Sequence, residues 1–343
     1  MATSYKTLLN DDVVSTRTLL HESIPITGSL ISGTYADSNI KNYSHGRFQS
    51  VYDYPFLSSS ANHIFDITAG FSSDSALYGT SAHVEVPQKV QMYNQLAQML
   101  VGYDTTGSIL KFDEDGNLLT GGINTKLKEC VFLSFSRLLV KDEIKKSSVQ
   151  LVLGQGDFTD PFSSTVTISD YGATNEYRTN SPSGEYGILY SSSAPSGPVG
   201  LVFYQAGIMV LTASAFGSST SFHVSGTTDQ TVSEALSGSS IQDLSNTVRR
   251  RIQDIDFNNT VELNSTIYFC RINHNEFNYS SNPTYLSESK IRVKDTSIDS
   301  PVSYITTVGL YSSENELLAT AKLSEPLKKT PENELILRVR LDY

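Results

Sequence analysis

Gly200-Leu201-Val202-Phe203-Tyr204-Gln205-Ala206-Gly207-Ile208-Met209-Val210-Leu211 is the most apolar stretch of the chain, and its reading decides the fold. Gly207 splits it into two four-residue apolar runs, 201–204 and 208–211. Short unbroken runs of this kind around a turn residue predict the two strands of a buried β-hairpin. Working outward, residues 155–200 are rich in Ser, Gly, Thr and Asp and predict loops and short strands. Upstream of them lie strand candidates at 129–140 (Cys130, Phe132, Phe135, Leu138, Leu139) and 148–153, joined by a charged link at 141–146. Residues 109–121 predict a hairpin turning at Asp115-Gly116. Residues 61–71 alternate apolar and polar positions and predict a further strand.

Two segments carry helical spacing instead. In 87–101, Val90, Tyr93, Leu96, Ala97 and Leu100 share one face, with Pro87 near the start and Gly102 after the end. In 241–255, Ile241, Leu244, Val248, Ile252 and Ile255 form one stripe, and Ser240 with Asp243 has the form of an N-terminal cap. Arg249, Arg250 and Arg251 fall in its C-terminal half, where cations suit the helix dipole. The triplet predicts a solvated face, or an arginine contact to an acidic partner. Beyond residue 258 the chain returns to strands. Segments 305–311 and 317–323 flank a polar turn, and in 335–343 Leu335, Leu337, Val339 and Leu341 alternate with Arg338, Arg340 and Asp342. That is the period of a half-buried strand.

The expected fold is therefore mainly β with a few helices (α+β), in several antiparallel β-sandwich-like domains. The expected division is an extended N-terminal arm at 1–60, an α+β domain at 61–155, a mainly β domain with loops and a helix at 156–256, and a C-terminal β domain at 257–343. The arm follows from short apolar pieces punctuated by Pro25, Gly28, Gly33, Gly46 and Pro55, which bury little alone.

Composition narrows the function classes. The 343 residues are 38% hydrophobic and 18% charged, a balance that supports packed domains and not disorder. A net charge of −11 repels phosphate and anionic lipid, so neither nucleic acid nor membrane is an expected partner. No segment has the length of an apolar membrane helix and the first residues lack a signal-peptide core, so the expected folding compartment is a cytoplasm. Cys130 and Cys270 are far apart and predict reduced core residues.

Catalytic and metal constellations are not visible. The six histidines, His21, His45, His63, His83, His223 and His274, stand singly, and Cys270 with His274 lacks two further zinc ligands. Gly154-Gln155-Gly156-Asp157 has no phosphate-loop lysine and predicts a turn. The loop 113–117 lacks the later ligands of a calcium loop. No Ser lies in a nucleophile elbow. With 36 acidic residues, chance pairs of carboxylates mean little. The expectation is no enzyme, no cofactor and no metal.

Three stretches resemble structural proteins of T4-like myoviruses, notably those of marine phages. They are Ser15-Thr16-Arg17-Thr18-Leu19-Leu20-His21-Glu22 with Ile24-Pro25-Ile26-Thr27-Gly28; Val51-Tyr52-Asp53-Tyr54-Pro55 with Ser58-Ser59-Ser60-Ala61-Asn62-His63-Ile64-Phe65-Asp66; and Asn275-Glu276-Phe277-Asn278-Tyr279-Ser280-Ser281-Asn282-Pro283-Thr284. The resemblance extends over most of the chain. A narrower one lies in Ile305-Thr306-Thr307-Val308-Gly309-Leu310-Tyr311 with Asn315-Glu316-Leu317-Leu318-Ala319, which is similar to a hairpin of phage tail and fibre-attachment proteins. Asn315 stands where that hairpin often has Gly, and Ser312-Ser313 replaces an acidic pair.

The resemblance implies a virion structural protein, assembled in the host cytoplasm and bound to other virion proteins in a homo-oligomeric ring or hetero-complex. A tail or baseplate position is the leading expectation, with neck, collar or head surface as the alternative and a glycan-binding or glycan-degrading tail protein behind them. The expected interface residues are Leu19, Leu20 and Ile24 of the arm, Arg249, Arg250 and Arg251, and Leu310 and Tyr311 of the terminal hairpin.

Overall fold

The hairpin at residue 207 forms as its sequence predicts. Strands Pro198–Phe203 and Ile208–Thr212 pair antiparallel, with Gly200 opposite Leu211 and Phe203 opposite Ile208, and Gly207 turns the chain at φ +67°. Both faces of the hairpin are buried. Val202, Tyr204, Met209 and Leu211 enter one core cluster; Leu201, Phe203, Ile208 and Val210 enter a second. An unbroken apolar run, not an alternating one, is what a strand covered on both faces requires.

The computed structural model describes residues 5–27, 38–53, 62–79, 83–118, 125–191, 197–280, 285–288, 290–291, 296 and 298–343. In chain order the strands are β1 (Val13–Thr27), β2 (Ile40–Asn42), β3 (Gln49–Tyr52), β4 (His63–Phe71), β5 (Glu129–Phe135), β6 (Glu143–Ile144), β7 (Gln150–Gly154), β8 (Thr165–Ser169), β9 (Arg178–Ser181), β10 (Gly184–Tyr190), β11 and β12 (the hairpin above), β13 (His223–Ser225), β14 (Thr228–Gln230), β15 (Ile252–Ile272), β16 (Leu286–Ser287), β17 (Lys290–Ile291), β18 (Ser303–Tyr311), β19 (Leu317–Lys329) and β20 (Leu335–Asp342). The helices are α1 (Val86–Leu100), α2 (Arg137–Val140), α3 (Ala173–Glu176), α4 (Val232–Gly238) and α5 (Ile241–Arg251). The protein is mainly β with a large antiparallel sheet, as expected.

The chain forms two units: residues 1–19 with 262–343, and residues 20–261. The larger unit, 20–261, is built on one sheet in the order β15-β7-β8-β10-β11-β12-β5-β4-β3-β2. Helix α1 covers one face: its Tyr93, Ala97 and Leu100 pack with Phe112, Phe132 and Phe203. Helices α4 and α5 supply Val232, Leu236, Leu244 and Val248 to the other face. Gly70 of β4 lets α1 lie close, since a Cβ there would stand 2.4 Å from the Lys89 carbonyl oxygen. In the smaller unit, β15 pairs with β20 from Ser265–Asp342 to Ile272–Leu335, and β18 pairs with β19 in a separate sheet.

This division corrects the expected one. Position 155 is no boundary, because β12 pairs along its whole length with β5. Nor is 60: β3 is buried, pairs with β4, and places Val51 in the core, so residues 38–53 belong to the sheet and not to an arm. The N-terminal residues instead join the C-terminal strands. Tyr5 packs edge-on against Tyr311 at 4.9 Å, Lys6 pairs with Glu276 at 2.6 Å and Asp12 with Arg271 at 2.6 Å.

Local differences have local causes. The strand expected over 129–140 stops at Phe135, because the Ser136 carbonyl accepts from the Leu139 and Val140 amides and closes a helical turn. The helix expected to Ile255 stops at Arg251. Ile252 and Ile255 stay buried because β15 pairs with β7 through a register shift that keeps both inward. Over 103–126 the described residues carry isolated bridges, Tyr103 with Ile109 and Asp113 with Lys126, in place of the expected hairpin. Its residues 119–121, with Gly28, Gly33 and Pro55, lie outside the described residues. Cys130 is buried as expected, whereas Cys270 is half-buried; both are free thiols.

Candidate functional site

The expected interface residues separate into two groups. Arg249 and Arg251 are buried, so the expectation of a solvated or partner-facing triplet is corrected for both. Arg251 projects into the fold and donates to four backbone carbonyls: Gly154 at 3.1 Å and Gly156 at 2.7 Å through Nη1, Ser221 at 3.2 Å and Phe222 at 3.0 Å through Nη2. Its guanidinium also lies 4.7 Å from the centroid of the Phe222 ring. Burial lowers its pKa to about 10, opposed by the nearby Asp157 carboxylate. The Gly-x-Gly turn at 154–156 thus presents carbonyls to an arginine and not amides to a phosphate. Arg250 alone of the three is exposed. It lines a small hollow of about 170 Å³ with Phe158, His223, Asp243, Asn246 and Thr247. There Thr247 Oγ1 lies 2.6 Å from His223 Nδ1 and 3.0 Å from the Asp243 carbonyl oxygen. Burial lowers the His223 pKa.

The second group is in part exposed and in part half-buried. Leu19 and Leu20 lie on β1, an edge strand, with Leu19 in the smaller unit and Leu20 in the larger; Ile24 is half-buried against the core. Leu310 pairs opposite Ala319 and is half-buried, and Tyr311 is exposed beside Leu317. Gly309 makes room for this arrangement, since a Cβ there would meet the Tyr311 ring at 2.9 Å.

Around Tyr311 the smaller unit has an unusual surface. Its strands keep period two: along β20, Leu335, Leu337, Val339 and Leu341 turn inward and Ile336, Arg338, Arg340 and Asp342 outward. Yet of its apolar side chains only Leu337 is buried among the described residues. Fourteen of the twenty-three exposed large apolar side chains described belong to this unit, which holds less than a third of the chain. Leu318 (69%) and Ile336 (64%) are the clearest on its strands. Polar contacts hold its loops instead. The buried Lys329 ammonium donates to Asn278 Oδ1 and the Thr330 carbonyl, each at 2.7 Å, and to the His274 carbonyl at 3.1 Å.

The larger unit also carries an open cleft of about 550 Å³ lined by Tyr43, Phe48, Ser50, Tyr52, His63, Asp66, Ser136, Arg137 and Leu138. Asp66 Oδ1 accepts from Ser50 Oγ at 2.5 Å and lies 2.8 Å from His63 Nε2. A hydrogen bond with Tyr43 and burial push the Tyr52 phenol up to about 12. These are serine, histidine and carboxylate together, but the carboxylate stands between the other two. Ser50 Oγ donates its hydrogen bond to Asp66 and not to the imidazole, which is not the arrangement of a base-activated serine. Among the described residues no three His, Cys, Asp or Glu side chains converge as a metal site, and no helix is long and apolar enough to cross a membrane. No sequence signal pointed to this cleft, because its residues come from the β2–β3 turn, β3, β4 and the segment from Ser136 into α2.

No protein-family model matches the chain, and no curated protein or solved structure shows significant similarity to it.

Proposed function

We propose that the protein is a non-catalytic structural subunit of a tailed-phage virion, placed in the tail at or near the baseplate, which binds neighbouring virion proteins through its smaller unit. The observation that carries this reading is the concentration of exposed apolar side chains there. Exposed apolar side chains, where they lie together, are the material of a protein–protein contact. The resemblance of 305–319 to a tail and fibre-attachment hairpin supports the same region. Strand edges and polar loops, not reactive side chains, are what such a role asks for.

The test is peptide mass spectrometry of purified particles, followed by immunogold labelling with an antibody against the chain. Peptides in the particle and label at the tail are the expected result. Absence from particles would overturn the virion role, and label on the head or neck would overturn the tail position.

A further inference from the structure

We infer that the surface of the smaller unit is covered by a second copy of this chain. The inference rests on the assembly role proposed above and adds the identity of the partner. Three observations lead to it.

The first is the state of the strand edges. Strand β15 is flanked in this unit by β1 and β20, whose outer edges are unpaired among the described residues, and β18–β19 is a two-stranded sheet with both edges open. Open ladders of backbone donors and acceptors are templates for pairing with another strand. A two-fold axis lets one edge pair with its own copy, antiparallel, without a second kind of surface.

The second is the size of the core. One buried apolar side chain among those described is a small core for strands of this length. Small units of this kind draw their missing core from oligomerisation.

The third is charge. Of the chain's 25 Lys and Arg and 36 Asp and Glu, the smaller unit holds 11 and 13. It is nearly neutral, so almost all of the net −11 lies on the larger unit. Two copies meeting through their larger units would bring like charge together; meeting through their smaller units they do not. The charges that remain there are of both signs. Among the described residues Arg338 on β20 and Lys322 on β19 make no ion pair, and neither do Glu314 and Glu316 at the β18–β19 turn. A second copy can set a basic strand against an acidic turn, which favours the matched orientation over others.

The test is sedimentation velocity of the full chain from about 1 to about 100 µM, a range that brackets micromolar association. The expected result is a concentration-dependent species at a whole multiple of 37.6 kDa. Leu318→Asp and Ile336→Asp should each raise the dissociation constant by at least roughly tenfold, with melting by circular dichroism unchanged from the wild type when both are diluted to monomers, because both side chains face solvent in the single chain. Hydrogen exchange on the wild-type protein gives a readout free of mutation: amides of β18, β19 and β20 should gain protection as concentration rises. A monomer over the whole range, or an oligomer that both variants and the exchange pattern leave untouched, would overturn the inference. Particle mass spectrometry separates the two claims. A self-associating chain absent from virions refutes only the virion role, and a virion protein that stays monomeric refutes only the second copy.

Discussion

Replacing Arg251 by alanine should cost about 3–5 kcal/mol net, because it leaves four carbonyls without their donor and empties the space of a large buried side chain. The side chain is almost wholly buried and serves four carbonyls from two segments, Gly154 and Gly156 at and just past the end of β7 and Ser221 and Phe222 before β13. A hydrogen bond to a charged group contributes about 1.5–3 kcal/mol, and a carbonyl left buried without a donor costs about 1–3 kcal/mol. Four such bonds give a gross loss above the net figure. The burial that pushes the guanidinium down to about 10 offsets part of it, because that cost disappears with the charge. Arg251→Lys should recover part of the loss, since one ammonium cannot span both carbonyl pairs. Arg250→Ala is the internal control: its side chain is exposed, and its cost should stay within about 1 kcal/mol. Urea denaturation followed by circular dichroism reads all three. An Arg251→Ala variant within about 1 kcal/mol of Arg250→Ala would refute the reasoning, because the triplet would then be the solvated face that its sequence predicts.

Three further outcomes follow from buried groups. Burial lowers the Lys89 pKa from 10.5 to about 8, and its ammonium donates to the carbonyls of Leu236 and Ser239 at the end of α4. The unfolded chain holds that proton to higher pH, so stability should rise by about 3 kcal/mol between pH 8 and 10.5 and show no dependence on this group below pH 8; Lys89→Met should abolish the slope in pH-dependent urea titrations. Burial raises the Asp170 pKa from 3.8 to about 6 against the donors Ser147 N, Val149 N and Tyr204 OH. Its contribution is full below pH 3.8 and is lost as pH rises through 6; Tyr204→Phe should cost about 1–2 kcal/mol and move that loss to higher pH in thermal melts. Gly70→Ala should cost about 3 kcal/mol by driving α1 off β4, read as a lowered denaturation midpoint, and an unchanged midpoint would show that the helix can retreat freely.

Some of the architecture was legible because its cause is local. The period of 335–343 announced β20, and Ser240 caps α5 through the Asp243 amide at 3.0 Å as its spacing implies. Helix α4 had a signal that went unread: Thr231-Val232-Ser233-Glu234 is a capping box, with Thr231 N donating to Glu234 Oε2 at 2.8 Å and Glu234 N to Thr231 Oγ1 at 3.3 Å. Arginine at 251 could not be placed in the same way. A cation in the last turn of a helix suits the dipole whether it faces water or four carbonyls, and the carbonyls come from residues some 30 and 95 positions away. The residues expected at an interface divide between core and surface for a similar reason. Tyr311 is exposed, but what makes its surroundings unusual is the shallow burial of every strand around it.

By itself the sequence determined the elements and their inward faces: the hairpin at residue 207 buried on both sides, the helix α1, the alternation of β20. Side-chain period is a property of a single strand or helix, so it can be read without knowing the neighbours. Only the tertiary structure decided which strands are neighbours, that β12 lies beside β5 and that both chain termini build one unit, and with this which faces go uncovered. Strand pairing is made through backbone groups that every residue carries, and identical donors and acceptors leave no mark of their partner in the side chains.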